Sequence, residues 1–200
     1  MHDLTSYPYS DALHHAHHHY LDDEVSSILA QLSWPVGERR VFELGCGNGS
    51  FAKILSDHGY AVTAIDTSID GINLARCSFP GIAFHNGSAY DDLSTKFGKF
   101  NAVVSLEVVE HIFVYELLEH GGAAIISTPY HSYVKNLALA VSGKMDAHFT
   151  ALWDYGHVKF WSMKTLRILL LEAGFQEVRF RRVGRIPPLA KSIIAVAQRP

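Results

Sequence analysis

Three glycines at alternate positions, Gly45, Gly47 and Gly49, stand between an apolar run ending at Leu44 and a helical pattern that starts at Ser50. A strand that breaks into such a turn lays bare backbone against a ligand, because glycine lacks a Cβ and tolerates φ > 0. The helix that follows aims its free N–H groups and positive dipole end at the same place. The arrangement is a cofactor cradle. Two acids accompany it: Glu43 inside the apolar run, and Asp66 closing the next one, Val62-Thr-Ala-Ile-Asp66. An acid buried there without a partner is costly, so both read as ligand contacts. A further group, Glu107, Glu110 and His111, has i, i+3, i+4 spacing and shares one face if a helix starts there.

These groups need a scaffold that brings them to one edge. Short apolar runs predict strands over 40–44, 61–65, 82–84, 102–106 and 123–127, with helices over 50–58 and 69–77 between them. Such alternation implies a parallel sheet covered on both faces. The style then changes. A helix over 164–173 closes at Gly174, an alternating strand covers 175–183, Ile186-Pro187-Pro188 forms a loop, and a last strand covers 191–197. Two strands joined without a helix pair antiparallel. The expected fold is therefore α/β: a Rossmann-like, doubly wound, seven-stranded, mostly parallel sheet with an antiparallel C-terminal strand. Residues 1–38 are expected to form an N-terminal helical cap, and 39–200 the ligand-binding domain. The stretch 130–160, rich in Tyr, His and Trp, is expected to insert over the carboxyl ends of the strands, where open α/β sheets bind ligands. There Tyr130, Tyr133, Leu137, Trp153 and Tyr155, with Trp161, either shape an aromatic acceptor pocket or form a small core of their own. His131 and His148 read as wall or surface histidines.

A length of 200 residues suits one domain, and 48% apolar with 18% charged residues is a globular composition. A net charge of −3 gives no general drive toward nucleic acid or anionic membrane. The one basic cluster, Arg179, Arg181, Arg182 and Arg185, reads as the solvated face of a strand. Cys46 and Cys77 lack metal or redox spacing, so a reducing cytoplasm is the default. No apolar run approaches the ~20 residues of a membrane span, and the N-terminus does not read as a signal peptide. Thirteen histidines include the run His14-His15-Ala16-His17-His18-His19, read as an exposed helix capping the domain or as an adventitious metal binder.

From residue 39 to 198 the chain resembles the class I S-adenosylmethionine (SAM)-dependent methyltransferases. The resemblance rests on Glu43-Leu-Gly-Cys-Gly-Asn-Gly49, on Asp66, on Ser105-Leu-Glu-Val-Val-Glu-His111 and on Gly122 before strand five. It implies that Gly45, Gly47 and Gly49 receive the amino-acid end of SAM, with Glu43 near its ammonium. Asp66 would hold the ribose diol, with Thr67 beside it. The adenine would lie near Gly87, Ser88 and Ala89, where Ser88 replaces the family's usual acid, and the Leu106 backbone would lie beside the sulfonium. A dinucleotide fingerprint would need its third glycine one residue later, at the position of Ser50, which argues against a nicotinamide oxidoreductase.

The block Glu107, Glu110, His111, together with His157 in Gly156-His157-Val-Lys-Phe160, resembles the small-RNA 2′-O-methyltransferases. The ubiquinone-pathway O-methyltransferases carry a similar Glu-x-x-Glu-His block. The resemblance implies that Glu107, Glu110, His111 and His157 hold a divalent Mn, Fe, Zn or Mg ion, or else that His111 or His157 is a general base. The reaction implied is methyl transfer from SAM to a hydroxyl of a small molecule, with RNA disfavoured by the charge. Alternatives are an N- or C-methyltransferase without metal and a non-catalytic SAM-binding protein. Ten residues separate His111 from Gly122, fewer than a parallel crossover needs, so either the usual loop and helix are shortened or a stretch is absent from the sequence as read.

Overall fold

The computed structural model describes residues 19–37, 39–108, 114–146 and 161–200. Its elements in order are α1 (His19–Gln31), β1 (Arg40–Leu44), α2 (Ser50–Asp57), β2 (Ala61–Asp66), α3 (Ile69–Ser78), β3 (Ala83–Asn86), α4 (Leu93–Phe97), β4 (Phe100–Leu106), β5 (Leu118–Pro129), α5 (Tyr133–Val141), α6 (Met163–Glu172), β6 (Gln176–Val183), a 3-10 turn (Pro187–Leu189) and β7 (Ser192–Gln198). The sheet order is β3-β2-β1-β4-β5-β7-β6. β7 runs antiparallel to both β5 and β6, and the remaining pairs are parallel. The expected seven-stranded, Rossmann-like sheet is what the chain builds.

Strand order reverses between β1 and β4, where Leu44 lies level with Ser105 and, on the other side, with Ile65. The ends of β1, β2 and β4 thus open onto one crevice, the usual ligand position in a doubly wound sheet. Alternation along β1 sends Val41 and Glu43 to one face and Phe42 and Leu44 to the other. Val41 joins a core with Leu55 of α2 and Ala75 of α3, and with Leu21, Val25, Ile28 and Leu29 of α1. Phe42 and Leu44 join the opposite core, with Leu93 of α4 and Leu166 and Leu170 of α6.

Residues 14–18 of the histidine run lie outside the described residues; the helix that follows packs on the sheet, with Leu21, Val25 and Leu29 fully buried. Helix α1 is ion-paired to β6 through Glu24 and Arg181, and Gln31 accepts a hydrogen bond from Arg181 Nη2 at 3.0 Å. Strand β5 starts at Leu118, not 123, and shifts register between the pairs Phe100–Leu118 and Ala102–Ala123. Gly122 falls in that shift, where a Cβ would meet Glu119 O at 2.9 Å and Asn101 O at 3.0 Å. Residues 107–117 carry the chain from β4 back to β5. Of these, 114–117 form a tight turn that buries Val114 and Leu117. Arg199 clamps it, Nη1 donating to Tyr115 O at 2.9 Å and Leu118 O at 2.7 Å with the guanidinium 4.5 Å from the Tyr115 ring centre. Among the described residues no helix is long and apolar enough to cross a membrane.

Candidate active site

The glycine turn folds as its composition requires. Gly45, Gly47 and Gly49 have φ of +82°, +53° and +78°, a region that L side chains enter at a cost. Space forbids a side chain as well: a Cβ on Gly49 would stand 2.6 Å from Phe84 Cζ and 2.8 Å from Ala75 Cβ. Gly45 and Cys46 both donate their N–H to Ile65 O, at 2.8 and 3.0 Å, locking the turn to the end of β2. Gly49 precedes helix α2 and gives it no side-chain cap; Asn48 Oδ1 accepts from Ser50 N at 3.3 Å, and the later N–H groups of the first turn are left for a ligand. Cys46 fills the turn as a small buried side chain, and burial pushes its thiol pKa up, so it stays a thiol.

Asp66 faces this turn. Its Oδ2 accepts from Gly47 N at 2.8 Å and its Oδ1 from Ser68 N at 2.7 Å. Each oxygen keeps a free lone-pair direction for a further donor, and the side chain is only half-buried. Thr67 beside it is exposed. Asn86 Nδ2 donates to Asp66 O at 3.1 Å and Thr67 O at 3.0 Å, so the end of β3 braces the end of β2. The loop Gly87-Ser88-Ala89 follows. Asp91 closes it by accepting from Ser88 N at 2.8 Å.

Glu43 is the most telling group. It is 4% exposed, and its Oε2 is buried without a hydrogen-bond partner. Burial, then the negative charges of Asp66 and Asp22, push its pKa up to about 8. A buried, unsatisfied carboxyl group at a cradle is a waiting partner for a cation or hydrogen-bond donor.

Across the crevice, Leu106 ends β4 half-buried and Glu107 follows with φ of +60°. Non-glycine residues adopt that conformation rarely, and often at functional sites. Its N–H is held by Ser127 Oγ at 2.9 Å, and Ser127 Oγ donates to Glu107 Oε1 at 3.0 Å. Burial raises the Glu107 pKa, while the Ser192 and Ser127 hydroxyls and Lys135 oppose that shift. Tyr20 Oη lies 3.1 Å from Ser192 Oγ. Ser127, Ser192 and Tyr20 are functional candidates that no sequence pattern marked, because they meet only when β5, β7 and α1 converge.

Of the residues proposed as metal ligands or bases, Glu110, His111 and His157 lie outside the described residues, as do His148, Trp153 and Tyr155. Among the described residues no group of three metal-ligating side chains forms. Tyr130 is buried, whereas Tyr133 and Leu137 are 84% and 52% exposed on α5. Trp161 and His131 are half-buried. Of the arginine cluster, Arg179, Arg182 and Arg185 are exposed as expected, with Arg179 paired to Glu177 at 2.9 Å, whereas Arg181 is half-buried against α1.

Comparison with known proteins shows the family of the chain. Residues 14–179 match the methyltransferase domain family. The chain belongs to that family. This methyltransferase is 31% identical over 126 residues to the ubiquinone biosynthesis O-methyltransferase of Caulobacter sp. (strain K31), covering 57% of this chain and 48% of that one. It is 24% identical over 150 residues to the protein of the same name from Aromatoleum aromaticum, covering 69% and 64%. The chain thus spans about half to two thirds of the length of these curated relatives. Among solved structures, magnesium protoporphyrin IX methyltransferase from Synechocystis PCC 6803 with bound SAH superposes with a TM-score of 0.65 at 20% identity, covering 90% of this chain and 84% of that one. The PH0226 protein of Pyrococcus horikoshii OT3 gives 0.67 at 19% identity, covering 96% and 95%. With the sheet order and the glycine turn, these matches make the chain a class I SAM-dependent methyltransferase.

Proposed function

We propose that this methyltransferase moves a methyl group from SAM to a hydroxyl oxygen of a small molecule. The observation that carries the donor half is the orphaned Glu43 Oε2 beside a glycine turn whose Gly47 N–H points at Asp66. The residues fit the donor. Gly45, Gly47 and Gly49 leave room for its amino-acid end, and Glu43 meets the ammonium. Asp66, with Thr67 beside it, takes the ribose hydroxyls on its free lone pairs. Ser88 and Ala89 lie along the base, and the Leu106 backbone borders the sulfur. When bound, SAM supplies an electrophilic methyl on sulfonium, so that one C–S bond breaks as one O–C bond forms.

The protein's part is to hold the acceptor oxygen in line and to remove its proton. Glu107, fixed by Ser127, stands at the β4 end of the crevice. The Glu-Val-Val-Glu-His block and the printed names of the ubiquinone-pathway relatives support oxygen as the methylated atom. His111 or His157 serves as base in this reading, or joins Glu107 and Glu110 around a divalent ion. A panel of phenol, catechol, amine and carbon-acid acceptors, assayed with SAM and with or without chelator, tests it. Methylated oxygen in the product supports the proposal. Methyl on nitrogen or carbon, or SAM binding without turnover on any acceptor, refutes it. Loss of activity on chelation, restored by Mn²⁺, assigns the ion, and unchanged activity assigns the histidine base.

A further inference from the structure

We propose that Asp22, carried to the crevice by the first turn of α1, is a second carboxylate for the donor's α-ammonium, so that an Asp22–Glu43 pair reads the amino-acid end. This rests on the reading of the glycine turn as the SAM site. Three features place Asp22 there. Glu43 leaves β1 on the face shared with Val41, and α1 covers that face through Leu21 and Val25. Asp22 is 3% exposed, an extreme burial for a carboxylate, and its charge acts on Glu43. Finally, the turn that carries it is pinned at the crevice: Tyr20 Oη lies 3.1 Å from Ser192 Oγ, and Lys191 Nζ lies 5.1 Å from the Tyr20 ring centre.

The second carboxylate answers a chemical need. A buried ammonium has three donors, and the orphaned Glu43 Oε2 can accept one of them. A second acid from α1 adds an acceptor, and it makes the helix part of the donor site. It also places two negative charges against one positive charge, so the pair favours donors that carry the ammonium over those that lack the amino-acid tail. An acid in the first turn of a helix also suits the helix dipole. That role alone predicts a different result in the following test.

The full chain and D22N are compared by calorimetry with S-adenosylhomocysteine and with 5′-methylthioadenosine, which keeps the nucleoside and thioether but has no amino-acid tail. Loss of one charge-assisted contact is expected to weaken S-adenosylhomocysteine about 10- to 100-fold and to leave 5′-methylthioadenosine within about twofold. Equal weakening of both ligands overturns the proposal and makes Asp22 a structural residue of α1. Unchanged S-adenosylhomocysteine affinity overturns it as well, leaving the ammonium to Glu43. If D22N does not fold, Asp22→Ser gives the same ratio of affinities. Wild-type protein that binds neither ligand instead overturns the donor-site reading.

Discussion

Replacing Glu43 by glutamine should make the empty protein more stable near neutrality while weakening its hold on SAM. The Glu43 pKa rises from 4.5 to about 8 on folding because the carboxyl group is buried and faces Asp66 and Asp22. A folded pKa above the unfolded one means that the native state holds the proton more tightly. The stability from this group is therefore complete below about pH 4.5, declines as pH rises, and is lost above about pH 8. At pH 7 the unfolded carboxyl is ionised and the folded one still mostly protonated, which costs the native state about 3 kcal/mol relative to acid pH. Glutamine cannot ionise, so urea unfolding of wild type and E43Q at pH 5, 6, 7 and 8 should show a stability difference that shifts toward the variant as pH rises. Each protein serves as the reference for the other's remaining carboxylates. The ammonium of SAM should expel the Glu43 proton, so binding at pH 7 should release about 0.9 proton in wild type and none from this site in E43Q. Calorimetry in two buffers of unequal ionisation heat measures that number. A wild-type-minus-variant difference that stays flat from pH 5 to 8 refutes the reasoning.

Two other substitutions probe the same crevice. Asp66→Ala strips the acceptors from Gly47 N–H and Ser68 N–H and the partner from the ribose diol; S-adenosylhomocysteine affinity should fall at least about 100-fold, and an unchanged value in calorimetry would remove Asp66 from the site. Gly49→Ala places a Cβ at φ +78° and 2.6 Å from Phe84. It should cost roughly 2–4 kcal/mol in urea unfolding, and a loss below about 0.5 kcal/mol would mean that the turn adapts.

The sheet was largely legible because local chemistry and global position agree there. The runs ending at Leu44, Asp66 and Leu106 are short, apolar and bounded by turn residues, and each became a parallel strand. The glycine spacing was legible for the same reason: backbone at positive φ admits little else. The start of β5 was not. Leu118 joins the sheet through a register shift at Gly122 that depends on Asn101 of the neighbouring strand. Arg199 carries no sequence signal of its own, yet it is 8% exposed and holds the turn between β4 and β5. For Tyr133 and Leu137 residue type leaves an acceptor pocket and a small core equally open, and α5 exposes both side chains.

By itself, then, the order of residues determined most of the strands, the glycine turn at 45–49 and the acids near the ends of the first two strands. These are short-range matters, settled by which side chains a given backbone conformation admits. Tertiary structure alone decided which distant groups meet: Tyr20 with Ser192 and Ser127 with Glu107, and it brought the charge of Asp22 on α1 to bear on Glu43 of β1. Those partners are distant along the chain, and their proximity comes from pairing β5 with β7 and burying the apolar face of α1 against them. A carboxyl group acquires an unusual proton affinity only once that burial removes its water and brings other acids near, and spacing along a sequence carries no record of either.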